Sequence, residues 1–174
     1  MIGRDERNPE DGDYNLVGLK IMQFLALLFT ALALVPGGAH LFELPAKMAL
    51  TQEQYVGAQQ LYRGWAWLGA FLLLAIVTNA VLTMMLRRRQ LAFQFAAIAF
   101  FLSVCALAIF FAWTYPVNIA TDNWTVAPAD WESLRVRWEY SHAAGAIVML
   151  GALCAQILSV LRVETVARDL NPSR

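Results

Sequence analysis

Four long stretches without a charged residue constrain most strongly how this chain can fold. Residues 21–42, 64–86, 90–121 and 140–161 contain no Asp, Glu, Lys or Arg. Each stretch is longer than the roughly 20 residues that an α-helix needs to cross the hydrocarbon core of a membrane. Only 15% of the 174 residues are charged, whereas a soluble domain carries about a quarter. The sequence therefore predicts an all-α integral membrane protein.

The spacing of these stretches predicts one four-helix membrane domain over residues 16–165. We expect an up-down bundle of four transmembrane helices, over about residues 20–42, 62–86, 91–115 and 140–162. Mobile tails are expected at residues 1–15 and 166–174. Within the first helix, Pro36-Gly37-Gly38 predicts a kink or break. Pro45 is expected to discourage a helical turn through Leu44.

Two polar segments between the spans are predicted to be structured. Thr51 followed by Gln54 is the pattern of a capping box, which predicts a short interfacial helix before the second span. The loop at residues 117–129 is polar and aromatic with little glycine, so we expect it to fold onto the bundle.

The distribution of lysine and arginine predicts the orientation of the bundle. Lys20, Arg162, Arg168 and the arginines at residues 87–89 all flank the spans on one side, which should be the cytoplasm. Both termini are then cytoplasmic and the two longer loops are outside. The net charge of zero gives no support to a nucleic-acid partner. The lipid bilayer is the expected partner, and an oligomer or a larger membrane complex stays open.

A stripe of aromatic and ionisable residues leads into the last span. At helical periodicity Trp131, Arg135, Trp138 and His142 fall within about one quarter of the circumference, with Glu139 at the edge. An arginine between tryptophans near a membrane interface should be held by Glu139, by backbone carbonyls of the loop, or by stacking on an indole.

The chain has two histidines, and each has a glutamate one turn away. His40 pairs with Glu43 and His142 with Glu139. Both histidines end spans on the same side, and the first and last helices of a closed bundle are neighbours, so the two side chains should converge. Imidazole and carboxylate ligands suit one or two transition-metal ions such as iron, copper, zinc or manganese.

Three alternatives to a protein-bound metal ion stay open. His40 and His142 could be axial ligands of a haem, although no second feature of the sequence indicates one. The pocket could be free of metal. The polar groups could also form a structural cluster, in which Glu139 pairs with Arg135 or Arg137 and Glu43 pairs with Lys47.

Pro116-Val117-Asn118, followed by Trp131, Arg135, Trp138 and a polar residue entering the last span, resembles the anthrone-oxygenase-like family. These are small four-helix membrane proteins, many of which are described only as a domain of unknown function. The segment at residues 39–47 resembles a bacterial branch, which implies a bacterial inner membrane.

Some members of this family are associated with oxidising anthrones by molecular oxygen without an organic cofactor. They often carry an arginine shortly after the last polar residue of the motif, but here Ala143, Ala144 and Gly145 follow His142. The anthrone substrate is therefore not carried over. The resemblance implies Asn118, Trp131, Arg135, Trp138 and His142 as site residues.

Two hypotheses of different classes follow. The first is a membrane oxidoreductase that uses oxygen on a lipophilic small molecule under the outer loop. Its catalytic residues would be His142 or His40 as base or metal ligand, Arg135 as the group that stabilises negative charge, and Asn118. Its pocket would be formed by Trp131, Trp138, Trp124 and Tyr62. The second hypothesis is a non-catalytic structural or accessory membrane subunit.

Overall fold

The computed structural model describes residues 9–169, with side-chain exposure for residues 16–163. Six α-helices follow one another along the chain: α1 (Pro9–Met48), α2 (Gln52–Gln59), α3 (Gly69–Met85), α4 (Gln90–Ile109), α5 (Tyr115–Ala120) and α6 (Trp131–Asp169). Two 3₁₀ segments, Gln60–Tyr62 and Trp65–Leu68, join α2 to α3, and a π-helical segment, Phe110–Thr114, joins α4 to α5. Residues 9–169 contain no strand.

Four helical stretches are long and apolar enough to cross a membrane. They are Leu16–Met48, Trp65–Met85, Gln90–Ala120 and Trp131–Val163. The prediction of an all-α chain with four such helices is therefore confirmed. Three of the stretches extend beyond the predicted spans, most clearly in α6, which begins nine residues before the expected Tyr140.

Helix α1 is continuous, so a break at Pro36-Gly37-Gly38 is ruled out while a kink there stays a prediction, and Pro45 does not end the helix either. Packing against α6 gives one reason: a Cβ atom added at Gly37 would lie 3.3 Å from the Cβ of Ala146. Small residues at such a contact let two helices approach closely, and the resulting packing offsets the lost backbone hydrogen bonds.

The two predicted tails fall partly outside the described residues. The helical assignment of α1 already begins at Pro9, inside the segment at residues 1–15 that was expected to be mobile, and α6 continues to Asp169. Proline suits the first position of a helix, where its missing N–H would have no partner. Residues 1–8 and 170–174 lie outside the described part of the chain.

The long helices pack in the spatial order α1, α3, α4, α6, and α6 also contacts α1. Small side chains fill the centre, where five alanines have no exposed surface: Ala26, Ala75, Ala96, Ala99 and Ala152. We call the end that contains His40, Trp65 and His142 the site end. At the opposite end, Leu19, Leu86 and Val163 belong to one apolar cluster.

Helix α2 packs across the site end and begins with the predicted capping box. Thr51 Oγ1 accepts a hydrogen bond from the backbone N–H of Gln54, and Gln54 Oε1 accepts one from the backbone N–H of Thr51. Tyr55 has no exposed surface and Gln59 is buried. The helix therefore places these two side chains inside the protein rather than along its surface.

The loop between α5 and α6 folds onto the bundle, as expected. Asp122, Asn123 and Trp124 have φ angles of 47°, 53° and 61°, a left-handed conformation that costs about 1–2 kcal/mol for most residues. The backbone N–H of Trp124 donates to Thr121 Oγ1, and Gln60 Nε2 donates to the Trp124 carbonyl oxygen. These bonds and the burial of Trp124 hold the strained turn in place.

Candidate functional site

A cavity of about 850 Å³ lies at the site end, between α1, the 3₁₀ segments, the π-helical segment, α6 and the loop before α6. Its volume is within the range of roughly 300–1,000 Å³ that is typical of small-molecule sites. Apolar side chains form most of its wall. Six of the residues singled out in the sequence also line it: His40, Tyr62, Asn118, Trp124, Trp138 and His142.

The imidazoles of His40 and His142 meet at the wall of this cavity. Their ring centroids are 4.5 Å apart in an edge-on arrangement. Trp138 contacts both rings, with centroid distances of 4.8 Å to His40 and 4.0 Å to His142. The ring of Tyr62 lies 4.5 Å from His40 on another side. The convergence expected from the matched depth of the two histidines is therefore observed.

The hydrogen bonds of the two rings assign them opposite tautomers. Nδ1 of His40 lies 2.7 Å from Nζ of Lys47, and since an ammonium group only donates, this Nδ1 accepts. Nδ1 of His142 lies 3.0 Å from the carbonyl oxygen of Trp138, which only accepts, so this Nδ1 carries a proton. In the neutral rings, His40 then has an N–H at Nε2, whereas His142 has a lone pair there.

Lys47 is the centre of a buried polar cluster, of which the sequence predicted the pair with Glu43 but not the contacts to His40 and Glu139. Besides His40, its Nζ contacts Glu43 Oε2 at 3.0 Å and Glu139 Oε1 at 3.5 Å, and it lies 4.2 Å from the ring centre of Tyr62. The residues at 40, 43 and 47 share one face of a continuous helix. This face was missed from the sequence because Pro45 was expected to prevent a helical turn from continuing as far as Lys47.

Glu139 is fully buried and pairs with Lys47, not with Arg135 or Arg137. Its Oε1 accepts hydrogen bonds from the Tyr55 hydroxyl at 2.9 Å and from Gln59 Nε2 at 3.5 Å. Burial, together with the charge of Glu139, raises the pKa of Tyr55, so the phenol keeps its proton and donates it. The other carboxylate oxygen, Oε2, has no partner among the described residues.

Tyr62 connects the cavity wall to the partly exposed Glu43. Its hydroxyl group donates a hydrogen bond to Glu43 Oε2. Burial and this bond raise the pKa of Tyr62. Glu43 itself does not line the cavity, although it was predicted as a metal ligand.

Arg135 holds the end of α1. Its Nη1 donates to the carbonyl oxygens of Leu50 at 2.8 Å and Lys47 at 3.5 Å, and its guanidinium lies 4.7 Å from the ring centre of Trp131. Carbonyls at a helix C-terminus lack helical partners, and a cation there is favourable. The expected stacking on an indole is confirmed. The carbonyls that Arg135 binds lie at the end of α1 and not in the loop at residues 117–129, and the contact to Glu139 is not formed. Neither Arg135 nor Trp131 lines the cavity.

Asn118 orients Trp138. The indole Nε1 of Trp138 donates a hydrogen bond of 2.6 Å to Asn118 Oδ1. Trp124 then packs edge-on against Trp138 and Tyr55, with centroid distances of 6.2 Å and 4.8 Å. The side-chain amide of Asn118 therefore holds Trp138 in the cavity wall, and the strained loop holds Trp124 there.

The π-helical turn next to the cavity was not predicted from the sequence. Phe110, Phe111 and Thr114 of this turn line the cavity, and Thr114 Oγ1 lies 2.7 Å from Ser141 Oγ of α6. The signal is Pro116, because a proline has no N–H for the helical bond and clashes with the carbonyl of residue 112. Such turns often occur at functional sites.

The predicted metal ligands already have partners within the protein, and whether they bind a metal ion stays a prediction. Lys47 Nζ already neutralises Glu43 and Glu139, and the Nδ1 atoms of both histidines are engaged. Residues 9–169 contain no group of three or more His, Cys, Asp or Glu side chains that could hold a metal ion. The haem alternative likewise stays a prediction.

The resemblance to the anthrone-oxygenase-like family stays a prediction. The cavity contains three of the residues that the resemblance implies, namely Asn118, Trp138 and His142, while Trp131 and Arg135 support it from outside. Comparison of the chain with protein-family models, with curated proteins and with solved structures gave no match.

Proposed function

We propose that this chain is an integral membrane enzyme that binds a lipophilic small molecule in the cavity and uses His142 as a general base. The observation that carries the proposal is the pair of imidazoles at the wall of a mainly apolar cavity, with a lone pair on Nε2 of His142 and a proton on Nε2 of His40. One ring can remove a proton while the other donates a hydrogen bond to the anion formed.

The reaction we propose is oxidation of an activated methylene group by molecular oxygen, as the family resemblance implies. His142 removes one proton, and the carbanion gives its electrons to dioxygen with formation of a carbon–oxygen bond. The peroxide anion takes that proton back from His142 and becomes a hydroperoxide. Removal of the second C–H proton with cleavage of the O–O bond then releases water and leaves a ketone. One oxygen atom of dioxygen becomes the ketone oxygen and the other leaves in water, so atoms and electrons balance without an organic cofactor.

The experiment is oxygen uptake by the purified protein with a panel of lipophilic carbon acids. His142→Phe keeps an aromatic ring of similar size but removes the base, and we expect a loss of about 10²–10⁴-fold in rate. Cys154→Ser, at an exposed position on the same helix, is the matched control and should retain the rate. Equal activity of wild type and His142→Phe would contradict the proposal.

A metal-free site is favoured because the Lys47 ammonium already contacts both carboxylates predicted as ligands. Metal analysis and an optical spectrum of the purified protein test this part separately. A stoichiometric iron, copper or zinc ion, or the absorption bands of haem, would support the metal or haem prediction instead.

Insertion in a bilayer, with both termini in the cytoplasm, is supported by the four apolar helices and by the side on which the basic residues lie. Large apolar side chains remain exposed along the helices, including Phe24, Phe42, Trp67 and Phe101. In a variant without its native cysteines, a cysteine near Arg88 should be labelled only from the cytoplasmic side, and one near Asp122 only from outside. The reverse pattern would overturn the orientation.

The second candidate is a non-catalytic membrane subunit. The observation in its favour is a set of contacts away from the cavity. Lys47 pairs with Glu139, Arg135 donates to the carbonyl oxygen of Lys47, and none of these three residues lines the cavity. These contacts tie α1 to α6 whether or not a ligand is bound. Absence of oxygen uptake and of ligand binding, together with co-purification of a constant partner, would favour this candidate.

A further inference from the structure

A set of buried amide groups without partners lies in the bundle beyond the cavity. Gln156 has no exposed surface, and neither its Nε2 nor its Oε1 forms a hydrogen bond within the described residues. Asn79 is equally buried; its Nδ2 donates to Thr30 Oγ1 at 3.0 Å, but its Oδ1 has no partner. Gln23 is 7% exposed and its Nε2 has no partner. Native structures rarely leave such groups unsatisfied.

Known contacts place these amides at successive levels of the bundle, and we call this stretch of the bundle the column. Residue numbers along α1 and α6 run in opposite directions, since His40 meets His142, Gly37 meets Ala146, and Leu19 shares an apolar cluster with Val163. The same spacing puts Gln156 level with Ala26. Ala33 lines the cavity. Thr30, with its partner Asn79, lies about one helical turn further from the site end. Gln23 lies about 15 Å from Ala33 along the axis of α1, at about 1.5 Å per residue.

The atoms without partners include both hydrogen-bond donors and acceptors, and this mixture indicates which kind of ligand can bind them. Two are amide nitrogens that donate, on Gln156 and Gln23, and two are amide oxygens that accept, on Gln156 and Asn79. A cation would leave the donors unpaired, an anion would leave the acceptors unpaired, and an apolar ligand would satisfy neither. Water donates and accepts, and it is the usual partner of buried polar groups that the protein does not pair. Alanines at 26, 96 and 152 keep the surrounding side chains small.

We propose that Gln23, Asn79 and Gln156 bind a cluster of water molecules inside the bundle, at a site separate from the cavity. The cluster bridges α1, α3 and α6 through amides that do not reach one another. Leu19, Leu86 and Val163 close the column at the opposite end. A hydrated centre of this kind would stabilise helix contacts that apolar packing alone does not specify in a membrane.

Water-edited solid-state NMR of the full chain in lipid bilayers, labelled with ¹⁵N in glutamine and asparagine side chains, tests the proposal. The experiment measures the transfer of polarisation from water protons to each side-chain NH₂ group. Gln156→Met, a substitution of similar volume, identifies the Gln156 signal. We expect transfer to Gln156 on the time scale seen for Gln59, which lines the cavity. Absence of transfer when Gln59 is fully polarised would overturn the proposal.

The stability of the same variants gives a second readout. If water satisfies the amide, Gln156→Met breaks the cluster and lowers the thermal midpoint. If the amide is dry and unsatisfied, the substitution removes a penalty and raises the midpoint, which would also overturn the proposal. Gln23→Met serves in the same two measurements if Gln156→Met does not fold. Leu150→Met, at an exposed position of α6, is the control and should leave both readouts unchanged.

Discussion

The ammonium nitrogen of Lys47 lies 2.7 Å from Nδ1 of His40, two helical turns away on the same helix. This contact fixes which nitrogen of His40 carries the proton, and it places a cation between two carboxylates at 3.0 Å and 3.5 Å. Lys47, which lies outside the cavity, thereby determines which ring nitrogen of His40 donates a hydrogen bond at the cavity wall. The two functions of Lys47, charge balance and tautomer selection, can be separated by substitution.

Lys47→Met should strongly destabilise the protein. The substitution keeps the length of the side chain but leaves the fully buried Glu139 without its cation, and breaking a buried pair in this way costs about 3–5 kcal/mol. Chemical denaturation in detergent micelles measures the change in the free energy of unfolding.

Glu139→Gln in the Lys47→Met background is the control, because it removes the unpaired charge. We expect the double variant to be more stable than Lys47→Met alone. With the single Glu139→Gln variant the double-mutant cycle is complete, and it should give a coupling energy of about 0.5–3 kcal/mol. Strict additivity of the two substitutions would show that Lys47 and Glu139 do not stabilise each other.

Asn118→Ala should cost about 1–3 kcal/mol of unfolding free energy, because the indole N–H of Trp138 then loses its acceptor in a poorly hydrated place. Asn118→Asp retains an acceptor oxygen and should be closer to wild type. Thermal unfolding of the two variants side by side provides the measurement. An equal loss in both would mean that the 2.6 Å bond contributes little.

The helices and the meeting of the two histidines could be predicted from the sequence. Uncharged stretches specify membrane-length helices because hydrocarbon leaves backbone groups no partner outside a helix. His40 and His142 could be placed at one depth because each lies at the end of its own span, and the two ends are on the same side of the bundle. The stacking of Arg135 near Trp131 follows in the same way from helical spacing.

Most of the polar cluster was not predicted, because the contacts of Lys47 with His40 and Glu139 depend on whether α1 continues past Pro45. Local rules favour a break at Pro36 and Pro45, but close contact of Gly37 with Ala146 on another helix outweighs them. An interruption at Pro45 would have removed Lys47 from the face of His40. The π-helical turn before Pro116 likewise depends on tertiary packing, here with Ser141 of α6.

The strained loop gives a prediction that concerns the backbone alone. Asn123 is exposed and has a φ of 53°, and no side-chain hydrogen bond holds it in this conformation. Asn123→Val should be less stable than Asn123→Gly by about 1–2 kcal/mol, because a β-branched residue tolerates left-handed φ poorly. Equal stability of the two variants in thermal unfolding would indicate that the turn relaxes in solution.

Alkaline pH should destabilise the protein through the buried phenol of Tyr55. Burial raises the pKa of Tyr55 above its ordinary value, whereas in the unfolded chain it ionises near pH 10. The native state therefore holds more protons above that pH, and the free energy of unfolding falls as the pH rises. Below about pH 10 the contribution of Tyr55 to the free energy of unfolding is fully present.

Unfolding measured at pH values from about 8 to about 11 should show a smaller fall for Tyr55→Phe than for wild type, since this range spans the ordinary tyrosine pKa. Tyr140→Phe, at an exposed position, is the control and should follow wild type. A Tyr55→Phe profile parallel to that of wild type would contradict the burial of this phenol.

The central claim is that the two imidazoles face one cavity in opposite tautomers. The chain contains only these two histidines, so ¹⁵N NMR of histidine-labelled protein in bilayers resolves both rings. We expect one ring protonated at Nε2, assigned to His40 by the loss of its signal in His40→Phe, and one protonated at Nδ1, assigned to His142. In Lys47→Met only the His40 pattern should change. Two rings with the same tautomer, or a Lys47→Met spectrum identical to wild type, would contradict the account.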